Sequence, residues 1–236
     1  MNARLLAAML MTIPLLALAD EPTQPTGGLD VSGVTAIRIV GEASSIDLTT
    51  IEGEPLVATL SGQRTGWFAH WYSSWFYYDC RTSSRMAIEG TTLTVEARPS
   101  SWLEPSDCRV ELKANVKEGV SVAVEQAASQ VRLAGEFSTL ALDAKAADFT
   151  LEGHAASVRL KGDALRSHLT FARTDGNETI AIAGHSLDTS LRFVPGTQIS
   201  YEVNATAAMV DSSLPNTVGA KPSIAIQGQY VRAAIR

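Results

Sequence analysis

The stretch VSVAVEQAASQVRLAGE (120–136) is followed by three segments built on the same plan, TLALDAKAADFTLEGH (139–154), SVRLKGDALRSHLTFAR (157–173) and TIAIAGHSLDTSLRFV (179–194). Each segment contains two apolar-polar-apolar triplets separated by small and polar residues. The units start 18, 18 and 22 residues apart, at Val122, Leu140, Val158 and Ile180. Alternation within a triplet is typical of a β-strand with one buried face, and self-similarity at a fixed period is typical of repeat architectures.

The same pattern extends beyond these four units. Ile37 and Ile46 repeat the nine-residue spacing of the first unit, and short apolar triplets recur up to Ile235. No proline occurs between residues 106 and 194, where central strands would need every backbone N–H. We therefore expect an all-β chain that forms a single parallel β-solenoid, right-handed and β-helix-like, with coils of about 18 to 22 residues.

The N-terminal residues are predicted to direct export. Arg4 precedes an apolar run that ends in Ala-Leu-Ala just before Asp20, so residues 1–19 are interpreted as a signal peptide. The run is about fourteen residues long, which is shorter than the roughly twenty that a membrane anchor requires. Residues 20–33 are rich in Pro, Gly and Thr and form a flexible lead-in to a domain at 34–236. The predicted location is the periplasm or the cell surface of a bacterium.

The charge of the chain excludes one class of partner. There are 25 acidic and 19 basic residues, which gives a net charge of −6. A surface that tracks nucleic-acid phosphates needs a positive excess, so no nucleic-acid partner is expected. Two cysteines, Cys80 and Cys108, are the only ones in the chain. An exported protein with one pair of cysteines and no CxxC spacing favours a disulfide over a metal site or a reactive thiol.

The triplets IDL, VRL and FTL, the glycines that follow them, and the phrases AASQVRLAG, AADFTLEG and SYEVNATAAMVDSSLP resemble the bacterial putative adhesin domains, which include the DUF4097-like and head-GIN-like exported β-solenoids. The likeness covers roughly residues 34–235. It implies a protein of the cell envelope with an adhesin-like role, and it carries no active-site motif to this chain.

An aromatic insertion interrupts the repeat at about residues 61–109. The sequence GWFAHWYSSWFYYDC (66–80) holds eight of the fifteen aromatic residues of the chain. These residues could pack as a satellite cluster held by the cysteines, bind a glycan or a protein partner, or touch a membrane interface or a second copy. The candidate binding residues are Trp67, Phe68, Trp71, Tyr72, Trp75, Tyr77 and Tyr78.

Titratable side chains give a weaker functional signal. His154 and His185 each follow a corner glycine and could project from one edge of the stack, although corners in solvent favour polar residues in general. We expect them to be solvated, with no metal and no cofactor. Five aspartates lie on or beside strands, Asp47, Asp143, Asp148, Asp163 and Asp188, and paired carboxylates would suit a carbohydrate-active enzyme.

The favoured hypothesis is an exported binding or structural module of the cell envelope without catalytic activity. Its partner would be an envelope glycan or a protein, and its oligomeric state is left open. The alternative is a lyase or hydrolase built on a β-helix scaffold. No GxSxG, HExxH or P-loop pattern occurs in the chain, and the joins between triplets are short, which favours the non-enzymatic hypothesis.

Overall fold

The computed structural model describes residues 28–64, 84–98 and 108–236. All regular elements in these ranges are β-strands, which confirms the prediction of an all-β chain. In chain order they are β1 (Leu29–Asp30), β2 (Ala36–Thr49), β3 (Val57–Arg64), β4 (Arg85–Glu89), β5 (Thr92–Ala97), β6 (Cys108–Asn115), β7 (Val120–Phe171), β8 (Thr179–Arg192), β9 (Ser200–Ser212) and β10 (Ser223–Ile235). Over the same ranges, no helix has the length and apolar character to cross a bilayer.

Equivalent triplets of different strands lie in parallel register. β2 pairs with β7, β7 with β8, β8 with β10, and β10 with β9, always in parallel. The register places Val158 beside Ile180, and Ile180 beside Ile224. Paired residues of β7 and β8, such as Val158 and Ile180, are 22 positions apart along the chain. This is the spacing between the starts of the last two quoted units.

The long strand β7 contains contacts at the 18-residue spacing of the earlier units. Lys161 Nζ lies 3.0 Å from Asp143 Oδ2, and Arg166 Nη1 lies 4.0 Å from Asp148 Oδ2. In both pairs the partners are 18 residues apart, so consecutive segments of β7 lie side by side. The repeat seen in the sequence is therefore a repeat in space.

The apolar residues of the triplets form the core. The four quoted units contain eight triplets, and all sixteen apolar residues at the ends of these triplets are at most 9% exposed. Phe171 and Phe193, at the ends of the third and fourth units, stack with ring centroids 5.1 Å apart. Equivalent apolar residues of successive turns form columns. Each residue of a column is shielded from water by the adjacent turn, because a single turn has no second layer of its own.

The joins between triplets differ from the expectation of turns. The backbone stays extended and paired through most of them, and β7 runs for 52 residues without a break. At one such join, Lys161 and Gly162 remain in register with Ala183 and Gly184. The ladder skips only Asp163 and His185 at this corner and resumes with Ala164 beside Ser186, so the corner is made almost entirely within the hydrogen-bonded ladder.

The order of strands in the sheet departs from the order in the chain at both ends. β2 lies between β7 on one side and β5 and β6 on the other, although β5 and β6 follow it in sequence. At the other end, β10 lies between β8 and β9. Antiparallel pairing is confined to the N-terminal end, where β1 pairs with β3, β3 with β6, and β4 with β5. The sheet is open, with β1 and β9 at the ends of its path.

Candidate functional site

The residues predicted to bind a partner lie outside the described residues. This holds for the whole aromatic set and for Cys80, so its disulfide with Cys108 stays a prediction. The aromatic set is Trp67, Phe68, Trp71, Tyr72, Trp75, Tyr77 and Tyr78.

The residues that flank this segment belong to the described part of the chain, and they lie at one corner of the sheet. Arg64, the last residue of β3, is in register with Cys108, the first residue of β6. Ser84, just before β4, uses its hydroxyl to bridge the backbone N–H and C=O of Arg98, just after β5. Segments 65–83 and 99–107 thus start and end beside one another, next to the corner of β2 between Gly41 and Ser45.

The main cluster of titratable groups in the described part of the chain consists of a buried histidine and the carboxylates around it. The side chain of His154 is 5% exposed. Its Nε2 lies 3.1 Å from Glu178 Oε1 and 3.6 Å from Asp175 Oδ2, and its Nδ1 lies 3.5 Å from Glu136 Oε2. The expectation of a solvated corner histidine is therefore wrong for His154. Asp175 and Glu178, both in the link 172–178, lie against one side of the ring.

Glu178 is the centre of this link. It is fully buried, and its carboxylate accepts hydrogen bonds from the backbone N–H groups of Asp175, Gly176 and Asn177. Burial alone would raise the pKa of the Glu178 carboxyl, but the backbone hydrogen bonds and His154 outweigh burial and hold this pKa below its ordinary value. Glu178 therefore remains an anion inside the protein and fixes the shape of the link.

Arg173 balances part of the negative charge. Its guanidinium donates to Glu136 at 2.7 Å and also contacts Asp175. The hydrogen bond from Arg173 lowers the pKa of the Asp175 carboxyl, with a further contribution from the nearby His154. Three carboxylates thus face one guanidinium and one imidazole, which leaves a net negative charge around the ring whichever protonation state it takes.

His185 does not share this site. Gly153, which precedes His154, stacks on Gly135, whereas Gly184, which precedes His185, stacks on Gly162. The two histidines follow two different columns of corner glycines, so they do not project from one edge. His185 is exposed and packs edge-on against the ring of Tyr230.

Sequence reasoning missed Glu178 because the residue stands in an Asn-Glu-Thr sequon and on no apolar pattern. A signal was nevertheless present in the spacing. Leu151 and Val158 are 7 residues apart, whereas their equivalents Phe171 and Ile180 are 9 apart. Two of the four extra residues of the 22-residue unit therefore fall in the link that carries Asp175 and Glu178.

Four of the five aspartates considered for catalysis line two shallow grooves beside the corners. Asp143 and Asp163 line a groove of about 750 Å³, and Asp148 and Asp188 line one of about 920 Å³. Asp47 is half-buried on β2. The ion pairs of Asp143 with Lys161 and of Asp148 with Arg166 show that two of the five carry basic partners one unit further along.

Comparisons with known proteins identify no family. No protein-family model matches the chain. No curated protein matches it either. Among solved structures, it is similar to a putative cell adhesion protein from Clostridium sporogenes, with 10% identity, 87% of this chain and 92% of that chain covered, and a TM-score of 0.44. It is also similar to a putative adhesin from Bacteroides fragilis, with 11% identity, coverage of 87% and 93%, and a TM-score of 0.48. Likenesses at this level carry no argument about what this chain binds.

Proposed function

We propose that this protein is an exported β-solenoid of the bacterial cell envelope that acts as a non-catalytic, adhesin-like binding module of the DUF4097 type. The observation that carries the proposal is the position of the described residues that flank the aromatic segment. Arg64 is in register with Cys108 and Ser84 bonds to Arg98, so these flanking residues lie at one corner of the outermost N-terminal turn, on a stack that is otherwise closely repeated.

The parallel registers support the solenoid. Contacts at offsets of 18 and 22 residues join successive turns, and the like residues of each turn form continuous buried columns. A right-handed winding is the expected sense for parallel crossovers. Such a stack is rigid along its length and is suited to displaying a loop at one corner.

Aromatic residues suit binding at such a position. Trp and Tyr offer large apolar faces together with a polar group, and they stack on sugar rings or fill pockets of a protein partner. The segment from Gly66 to Tyr78 contains no lysine or arginine, which disfavours attraction to anionic lipid headgroups. A glycan or a protein of the envelope is therefore the proposed partner.

The surface carboxylates support a non-catalytic role. A lyase or hydrolase needs an acid and a base whose protonation is tuned by burial or by a second carboxylate. Asp143 has 59% of its side chain exposed and Asp148 has 44%, and each lies near a basic side chain. These are properties of solvated surface ion pairs.

The test is cosedimentation of the purified chain with isolated bacterial envelopes and with peptidoglycan. The variant Trp67→Ala/Trp71→Ala/Trp75→Ala should lose at least about tenfold in affinity, since aromatic anchors each contribute about 2 kcal/mol or more. Tyr230→Ala is the matched control, because Tyr230 is an exposed aromatic residue of the stack itself, and it should bind normally.

Two results would contradict the proposal. One is unchanged binding by the triple variant. The other is loss of the native circular dichroism spectrum in that variant, which would show that the aromatic residues pack in the structure. Peptide mapping without reductant tests the linked prediction that Cys80 and Cys108 form a disulfide close to the segment.

A further inference from the structure

We propose that His154, Asp175 and Glu178 form a binding site for a divalent transition-metal cation of the zinc class. The site is independent of the aromatic segment and of the proposed envelope partner. It lies between the corner after the second quoted unit and the link 172–178 that precedes β8.

The ligand atoms have the spacing that a metal ion requires. His154 Nε2 lies 3.1 Å from Glu178 Oε1 and 3.6 Å from Asp175 Oδ2, and one atom from each residue falls within 4.8 Å of the other two. Zinc binds imidazole nitrogen and carboxylate oxygen at about 2.0 to 2.2 Å, so tetrahedral ligands lie about 3.4 Å apart. The two distances from Nε2 lie on either side of that value.

The imidazole is oriented as a metal ligand would be. Its Nε2 faces the two carboxylates, while its Nδ1 faces a third carboxylate, Glu136, at 3.5 Å. In metal sites the nitrogen that does not bind the ion commonly donates its proton to a carboxylate, which fixes the tautomer and makes the ligating nitrogen more basic. Arg173 holds Glu136 in place through a contact of 2.7 Å.

The hydrogen bonds within the cluster leave negative charge that a cation would balance. The 3.1 Å contact of Nε2 with Glu178 is a hydrogen bond only when Nε2 carries the ring proton, and Asp175 Oδ2 at 3.6 Å is beyond hydrogen-bond distance in either tautomer. Glu178 is already oriented by three backbone N–H groups, so its position does not depend on the imidazole. With a neutral ring, the three carboxylates and Arg173 leave two negative charges, which a divalent cation would neutralise.

The exposure of the three residues determines how solvent reaches the site, and their ligand types determine which ion it selects. Asp175 is 46% exposed and opens the site to solvent, while His154 and Glu178 form its buried floor. One imidazole with two carboxylates favours zinc-like ions over calcium, which prefers six to eight oxygen ligands.

The test uses the purified chain, stripped with chelator and dialysed against Zn²⁺, with bound metal measured by mass spectrometry and affinity by titration calorimetry. About one equivalent of zinc is expected. Asp175→Asn and His154→Gln should each weaken binding more than tenfold, and Glu136→Gln about tenfold, as is usual for a residue behind a ligand. His185→Gln is the matched control, since His185 is exposed at the other corner column and should leave binding unchanged.

Asp175→Asn protects the test against misfolding, because this side chain is half exposed and its loss leaves the core intact. Zinc should raise the melting temperature of the wild-type chain and leave that of Asp175→Asn unchanged. The proposal is overturned if the wild-type chain holds no zinc. It is equally overturned if Asp175→Asn and His154→Gln hold zinc as tightly as the wild type, as they would if the cysteines were the ligands. Neither result bears on binding by the aromatic segment, so the two proposals fail separately.

Discussion

At the scale of single residues, the corner glycines are required by close approach between turns. A Cβ atom built on Gly184 would lie 1.9 Å from the carbonyl oxygen of Gly162, well inside contact distance. That oxygen belongs to the backbone of the neighbouring turn, which cannot move without separating paired strands. Gly33 offers a comparison, since a Cβ there would meet nothing within 4 Å.

We expect Gly184→Ala to destabilise the protein by about 1 to 3 kcal/mol, the usual cost of overpacking. Gly33→Ala should change stability by less than about 0.5 kcal/mol. Urea unfolding followed by circular dichroism measures both. Equal midpoints for the two variants would show that the corner backbone can adapt, contrary to the geometry.

At the scale of elements, a polar contact inside the stack joins β7 to β8. Ser167 and Thr189 are 0% and 1% exposed and lie in register, and the Ser167 hydroxyl donates to Thr189 Oγ1 at 3.0 Å. A buried hydroxyl without a partner loses its hydration with no compensation. The pair therefore stabilises the match between the two strands only while both members are present.

Replacing both members of the pair should cost less than the two single replacements added together. Thr189→Val should lower the free energy of unfolding by about 1 to 3 kcal/mol, whereas Ser167→Ala/Thr189→Val should lower it by less than the sum of the two single changes. Thr170→Val, at an exposed position of β7, is the control and should be nearly neutral. A double-mutant cycle in urea gives these values, and strict additivity would refute the coupling.

These elements show how far the sequence could be interpreted. Period-two alternation identified the buried triplets, because burial of one strand face leaves a direct trace in the order of residues. The same alternation gave no indication that Glu178 is buried. Its charge is satisfied by backbone N–H groups, which depends on the path of the link and not on the pattern of apolar residues. For His154 a general preference for polar corners gave the wrong environment, because Asp175 and Glu178 of the neighbouring link lie against its ring.

At the scale of the whole molecule, the ends of the stack are built differently from its middle. At the C-terminal end, β10 is inserted between β8 and β9, so the last strand of the chain is internal. Within the described residues, strand pairing of β9 is with β10 alone. Periodicity cannot give this order, because β9 and β10 carry similar patterns and either could follow β8.

The column of corner glycines extends into β10 and ends at β9. Gly228 stacks on Gly184, where a Cβ would lie 3.0 Å from the Gly184 carbonyl oxygen, whereas the equivalent residue of β9 is Ala205. In the described part of the chain β9 pairs with β10 along its whole length, so β10 holds β9 in the sheet.

Deleting residues 223–236, which removes β10, should release β9 from the sheet. We expect the amides of residues 200–212 to exchange with deuterium like an unstructured peptide, while those of β7 remain protected because β2 and β8 still flank it. Hydrogen exchange followed by mass spectrometry resolves the two regions, with Tyr230→Ala as a control that removes an exposed ring and keeps the strand. If β9 stayed protected after the deletion, it would have paired with β8 in place of β10, and its place in the sheet would not depend on β10.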